Sequence, residues 1–211
     1  MIKIEHRINS VKQLMETPKE YGVEMDIHGF GNRLIVHHNA LTDGVDLEHW
    51  LEAYQQRFVI FNIKEEGIEQ RVCELAEKYA INDYMLLDLS FPALIKMVHR
   101  GERRIALRVS EYEHVSSALT LKGQVSWIWL DCFKGFPISV SEYKLLQDAG
   151  FKICLVSPEL HHPSREGEIT KMQQVINNYS LKIDAVCTKI PDKWKHSQET
   201  ACATSRAPAS P

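Results

Sequence analysis

The strongest constraint on this chain is a rhythm. Eight short apolar runs, near residues 2–6, 22–28, 58–63, 84–88, 104–108, 125–130, 151–156 and 183–187, alternate with segments patterned as helices. Runs of that length and composition read as strands. Between them, Ile68, Val72, Leu75 and Ala76 recur at helical spacing. Parallel strands need long crossover connections, so strand–helix alternation implies a parallel sheet. Eight such units in 211 residues point to an α/β protein of one domain, a small (β/α)8 TIM barrel. A doubly wound open sheet is the alternative, and it wants a Gly-rich phosphate loop after its first strand. Residues His6 to Ser10 contain no glycine.

Capping residues mark the helices. Asn9 or Ser10 opens one that runs to Glu16, Asp46 one from Leu47 to Gln56, and Pro92 one that reaches His99. Further helices are expected over Tyr112–Leu121, Ser141–Ala149 and Glu166–Tyr179, with Gly150 closing the middle one. The barrel is assigned to residues 1–194. From 195 to 211 the chain turns to Ser, Ala, Thr and Pro without periodicity, and it reads as a disordered tail. A net charge of −3 gives no reason to expect nucleic acid as a partner. No apolar run reaches the length of an integral membrane segment, and no signal peptide opens the chain. Its 5 cysteines are scattered, as suits reduced thiols in a cytoplasmic protein.

Within the second run, Glu24, Asp26 and His28 occupy alternate positions, so a strand carries all three on one face. Two carboxylates so placed can converge on one hard divalent cation, and burying them without a cation or a proton is costly. The run Leu34 to Val36 then delivers His37 and His38 beside the pair. Those two point to opposite faces, so one of them joins the cluster, and alternation does not choose. In such a barrel the active site lies at the C-terminal ends of the strands. Those ends carry His6 and Arg7, Asn62 and Lys64, Asp88, Arg108, Asp131, Glu159 and Lys189. His161 and His162 follow Pro158 in a loop that also holds Pro163, and read as solvent-exposed.

The early motifs carry a family resemblance. His6-Arg7, then Gly22-Val23 before Glu24-x-Asp26, an apolar run ending at His38, and a strand ending in Asn62-x-Lys64 together resemble the glycerophosphodiester phosphodiesterases. That family belongs to the phospholipase C-like phosphodiesterase superfamily. The resemblance covers the first third of the chain by motif and the remainder by architecture. It implies a metal-dependent phosphodiesterase acting on a small-molecule substrate, a glycerophosphodiester-like or phospholipid-headgroup-like phosphodiester, within lipid metabolism. It also implies that Glu24, Asp26 and Asn62 hold Mg²⁺ or Ca²⁺, and that His6 and His38 act as general acid and base. Lys64 and Arg7 would bind the phosphate, joined by Arg108 and Lys189. Two positions depart from the family: Asn62 replaces a usual Glu, and Asn39 follows His38 where Asp is usual. A neutral amide oxygen is a weaker ligand than a carboxylate for a hard cation. Two other readings stand beside this one. Lys64 could serve a Schiff-base barrel enzyme, or the chain could be a non-catalytic phosphosugar- or phosphate-binding barrel. The leaving group and the oligomeric state are not written in these residues.

Overall fold

The computed structural model describes residues 1–195, so the expected tail lies outside the described residues apart from Lys195. The elements run β1 (Ile2–Glu5), α1 (Val11–Glu16), β2 (Gly22–Phe30), β3 (Arg33–Val36), β4 (Val45–Asp46), α2 (Leu47–Glu52), β5 (Phe58–Ile63) and α3 (Glu69–Lys78). There follow β6 (Tyr84–Leu87), α4 (Phe91–His99), β7 (Ala106–Val109), α5 (Val115–Leu119), β8 (Trp127–Leu130), α6 (Val140–Asp148), β9 (Lys152–Val156), α7 (Glu168–Asn178) and β10 (Ala185–Thr188).

Eight of these strands pair in parallel around a ring: β1, β2, β5, β6, β7, β8, β9, β10 and back to β1. The chain therefore forms the (β/α)8 barrel that its alternation implies. Seven seams of the ring are ladders. The seam between β6 and β7 is a single bridge, Leu86 to Ile105, where the Leu86 N–H donates to the Arg104 carbonyl at 2.7 Å. β3 and β4 lie off the ring as an antiparallel extension of β2. Thus β2 overshoots the barrel rim and folds back, which returns His38 to the mouth.

Alternation along the strands sorts the buried side chains into two sets. Ile4, Ile60, Met85, Trp127, Trp129 and Cys187 fill the barrel interior. Val23, Met25, Phe61, Leu86 and Ile128 point outward and pack against helix residues such as Val72 and Ala76. Gly22 lies where β2 is squeezed between β1 and β5. A Cβ there would come within 2.9 Å of the Ile4 side chain and 3.1 Å of the Phe58 carbonyl oxygen.

Most helix starts follow the capping signals. Ser10, Asp46 and Ser90 each accept a backbone N–H in the first turn, and Ser139 forms a capping box with Glu142. Two helices are shorter than the pattern predicts. Before α5, the Ser110 hydroxyl accepts the N–H groups of Tyr112 and Glu113, a local turn that competes with helix. After α2, the Gln56 amide donates to the carbonyls of Leu14 and Thr17 and ties the chain to α1 instead.

Among the described residues, no helix is long and apolar enough to cross a membrane. The four described cysteines are free thiols. Trp194, next to last of the described residues, is fully buried, and its Nε1 donates to Ser157 Oγ at 2.9 Å. Trp194→Ala is expected to cost about 3–5 kcal/mol in urea unfolding, because a large cavity is left behind. Trp194→Phe keeps most of the packing and loses the hydrogen bond, at about 1 kcal/mol.

Candidate active site

The C-terminal ends of the ring surround a cavity of about 250 Å³. On its β2 wall stands Asp26, with Glu24 deeper in the same strand; they are 1% and 0% exposed. Each has acquired donors. Glu24 accepts the Arg7 backbone N–H and the Asn62 amide nitrogen, both at 2.7 Å. Asp26 accepts from Asn9 Nδ2 at 2.8 Å, while Asn9 Oδ1 takes the Asp26 N–H at 3.0 Å. To aim its N–H, Arg7 adopts a left-handed backbone with φ 61. An L-residue incurs about 1 kcal/mol or more in that conformation, and a hydrogen bond to a buried carboxylate offsets it.

Imidazoles and cations complete this wall. His6 Nε2 lies 3.7 Å from Glu24 Oε2. His38 places Nδ1 3.3 Å from Asp26 Oδ2, and its Nε2 accepts from Arg7 Nη2 at 2.9 Å. Lys64 Nζ stands between two carboxylates, 3.2 Å from Asp26 and 3.4 Å from Asp88. His37 turns elsewhere, its Nδ1 accepting the Asn39 N–H at 3.0 Å. Gly44 holds that return segment close: a Cβ there would meet the Val36 carbonyl oxygen at 2.7 Å and the His37 Cβ at 2.9 Å. His28 is buried further along β2, with its ring centroid 6.4 Å from that of His37. Lys189 is exposed at the end of β10, near enough for its charge to act on His6. The structure thus gathers His6, Arg7, Glu24, Asp26, His38, Asn62 and Lys64 at one wall.

Burial first, then the charges of Arg7 and Lys189, push the His6 imidazole down to about 3. Burial, together with the neighbouring Asp26, raises the Glu24 carboxyl to about 7. Burial acts on Asp26 too, but the Asn9 hydrogen bond and the Lys64 charge outweigh it and leave that carboxyl below its ordinary range. One member of the pair is a firm anion, and the other is ready to share a proton or a cation.

The opposite wall is built from residues that the strand ends only hinted at. Asp131, 3% exposed just after β8, accepts from Arg108 Nη1 at 3.0 Å and from His161 Nε2 at 2.6 Å. Arg108 also pairs with Asp88. Burial holds the Asp131 carboxyl above its ordinary range, against the opposing pull of His161 and Arg108. His161 therefore corrects the sequence reading: it lines the cavity, and only His162 is exposed. The reason is Glu159. Buried, it accepts from Thr188 Oγ1 at 2.6 Å, from the Lys189 N–H at 3.1 Å and from the Ser157 hydroxyl. Those bonds pull the 3₁₀ turn Pro158–Leu160 inward. The two prolines announced a loop, and nothing in their spacing announced which way it would face.

Among the described residues no group of three or more His, Cys, Asp and Glu side chains is arranged to hold a metal. Yet Asn62 Oδ1 is buried without a hydrogen-bond partner, and Asp26 Oδ1 meets only the Lys64 ammonium, 3.2 Å away. With Glu24 they make a set of oxygen donors of the kind that binds Mg²⁺ through one or two carboxylates, the rest coming from water and phosphate. Asn62 now offers its nitrogen to Glu24, so its amide would turn over to serve as a ligand. On that condition the residues fit.

No family model and no curated protein matches this chain. Solved structures do, at the level of fold. The chain is similar to a glycerophosphodiester phosphodiesterase from Agrobacterium tumefaciens str. C58 at 11% identity and a TM-score of 0.59, over 91% of this chain and 97% of that one. It is similar to a glycerophosphoryl diester phosphodiesterase from Parabacteroides distasonis ATCC 8503 at 12% identity and a TM-score of 0.59, over 91% of this chain and 84% of the other.

The buried pair generates a test that needs no substrate. A carboxyl whose pKa is raised on folding contributes stability below its unfolded pKa and loses it as pH rises through the folded value. For Glu24 that window runs from its ordinary value of 4.5 to about 7. In chelator at pH 8, Glu24→Gln should melt a few degrees above wild type, and at pH 4 the two should coincide. Millimolar Mg²⁺ or Ca²⁺ should then raise the wild-type melting temperature and leave Glu24→Gln unmoved. A wild type indifferent to both ions would refute the cation site.

Proposed function

We propose that the cavity binds a small-molecule phosphodiester and cleaves it with the help of Mg²⁺ or Ca²⁺ held by Glu24, Asp26 and the amide oxygen of Asn62. One observation carries this reading. A buried carboxylate pair, two imidazoles and two cations share one wall at the C-terminal mouth of a barrel whose fold is that of known phosphodiesterases. The cation would neutralise charge on the phosphate and orient the attacking oxygen. Lys64 and Arg7 supply charged donors to the non-bridging oxygens, and Arg108 and Lys189 add to the positive field.

His6, neutral because burial disfavours its cation, receives the proton of the attacking oxygen. As negative charge builds on the phosphoryl group beside it, the proton affinity of the ring rises. His38, set against Asp26 and Arg7, is the second imidazole of this wall and serves the acid–base chemistry on the side of the attacking oxygen. The attacker is water, or a neighbouring hydroxyl of the substrate that gives a cyclic product. The substrate would be glycerophosphodiester-like or phospholipid-headgroup-like, and the activity would belong to lipid metabolism. Residues 1–194 would form the whole catalytic domain, and the free thiols suit the cytoplasm.

The Schiff-base reading loses support from the placement of Lys64. A lysine of that kind wants apolar surroundings or another cation nearby, and Lys64 lies between Asp26 and Asp88. A purely phosphate-binding barrel would have no use for two imidazoles beside a carboxylate pair.

Purified protein is expected to hydrolyse bis(4-nitrophenyl) phosphate with Mg²⁺ or Ca²⁺ and to stop in chelator. His6→Ala and His38→Ala should each lower kcat by about a hundred- to ten-thousand-fold with little change in melting temperature. Activity that survives chelation would end the metal-assisted reading. Asn62→Asp should lower the cation concentration that gives half-maximal rate, because a carboxylate replaces a neutral ligand. If the rate falls and that concentration does not, Asn62 faces the phosphate rather than a cation.

A further inference from the structure

We infer that His161, oriented by Asp131, gives the proton to the leaving group of the phosphodiester reaction; the inference rests on the function proposed above. The ring order carries it first. From β2 to β8 the path is four strands either way, through β1, β10 and β9 or through β5, β6 and β7. Asp131, just after β8, therefore stands across the mouth from Glu24 and Asp26, and it draws to its side His161, whose turn follows β9. His6 and His38 do not stand across from that pair: they lie 3.7 Å from Glu24 and 3.3 Å from Asp26, on the same wall as each other. Displacement at phosphorus keeps the attacking and leaving oxygens roughly in line on opposite sides. A base at the end of β1 calls for its acid on another wall, and His161 is the imidazole that Asp131 holds there.

The local geometry is that of a proton donor. Asp131 takes the His161 Nε2–H at 2.6 Å and is itself held by Arg108 at 3.0 Å. The Phe133 ring lies 4.5 Å from the imidazole, centroid to centroid, and limits its rotation. The turn that carries His161 is anchored by the buried Glu159. With Nε2 committed to Asp131, the second proton of the imidazolium resides on Nδ1, which has no hydrogen-bond partner among the described residues. In His38, by contrast, both ring nitrogens stand against protein groups, Arg7 and Asp26. A carboxylate that fixes one nitrogen and stabilises the imidazolium leaves the other free for transfer, as in hydrolytic triads.

The step balances. The bond from phosphorus to the leaving oxygen breaks, and its electron pair stays on that oxygen. His161 Nδ1–H gives its proton there, and a neutral alcohol departs. The imidazole keeps Nε2–H on Asp131 and regains its proton from solvent. The proton of the attacking oxygen has gone to His6. Asp131 acts through the ring and is a positioning residue.

Leaving-group dependence separates this role from any structural one. 4-Nitrophenolate departs readily without a proton, and phenolate much less so. His161→Asn should lower kcat on diphenyl phosphate by about a hundredfold or more and on bis(4-nitrophenyl) phosphate by less than about tenfold. His161→Gln repeats the measurement should the first variant fold poorly. Asp131→Asn should show the same split at unchanged KM, whereas His38→Ala should lower both rates alike. Equal losses on the two esters in a folded His161 variant, or no loss on either, overturn the assignment and leave the phosphodiesterase reading standing. A wild type that cleaves neither ester overturns both.

Discussion

Two carboxylates cannot lie inside a barrel unless something answers their charge, and most of what surrounds Glu24 and Asp26 follows from that requirement. The left-handed turn at Arg7 exists to aim one N–H at Glu24. Asn9 reaches across from the loop after β1 to close a pair of bonds with Asp26. Lys64 is drawn between Asp26 and Asp88. A barrel strand needs none of this for its own stability, since Met25 and Val23 pack outward on either side of Glu24 as any apolar pair would. Buried ion pairs are weak arguments for stability, because desolvation takes back much of what attraction gives. Their retention at the rim of a cavity is better explained by chemistry than by folding.

Around the ring the charges then alternate. From Asp26 the contacts pass to Lys64, Asp88, Arg108, Asp131 and His161, each group touching the next. Successive strands supply successive members, so the chain of contacts follows the barrel rim. Two of the non-glycine residues with left-handed backbone sit at strand ends here: Asp88 within this circuit, and Arg7 beside Asp26 at its start. Backbone strain of that kind persists where surrounding contacts over-determine it.

The barrel was legible because its signal is redundant. Eight runs and seven crossovers repeat one message, and a misjudged end such as the start of α5 does not alter the topology. The pairing of Glu24 with Asp26 was legible because they lie two apart on one strand, where alternation guides facing, whereas His38 rather than His37 came from the family resemblance. The β8 wall was not legible. Asp131 and His161 are thirty residues apart and meet only because Glu159 turns a proline-flanked loop inward. That turn depends on Thr188 and Lys189 from the last strand, a contact that no local pattern encodes. The present partners of Asn62 and Lys64, Glu24 and Asp88, are matters of rotamer and reach.

The seam between β6 and β7 has a consequence for how the barrel moves. Seven junctions are laced by ladders, and this one is closed by a single bridge at Leu86. Its amide is then the natural place for the hoop to unfasten, since parting there severs the fewest backbone bonds of any line down the wall. Asp88 and Arg108 stand on the two lips of that slit, clasped to each other. Their ion pair adds a side-chain tie across that slit, where the backbone supplies a single bridge.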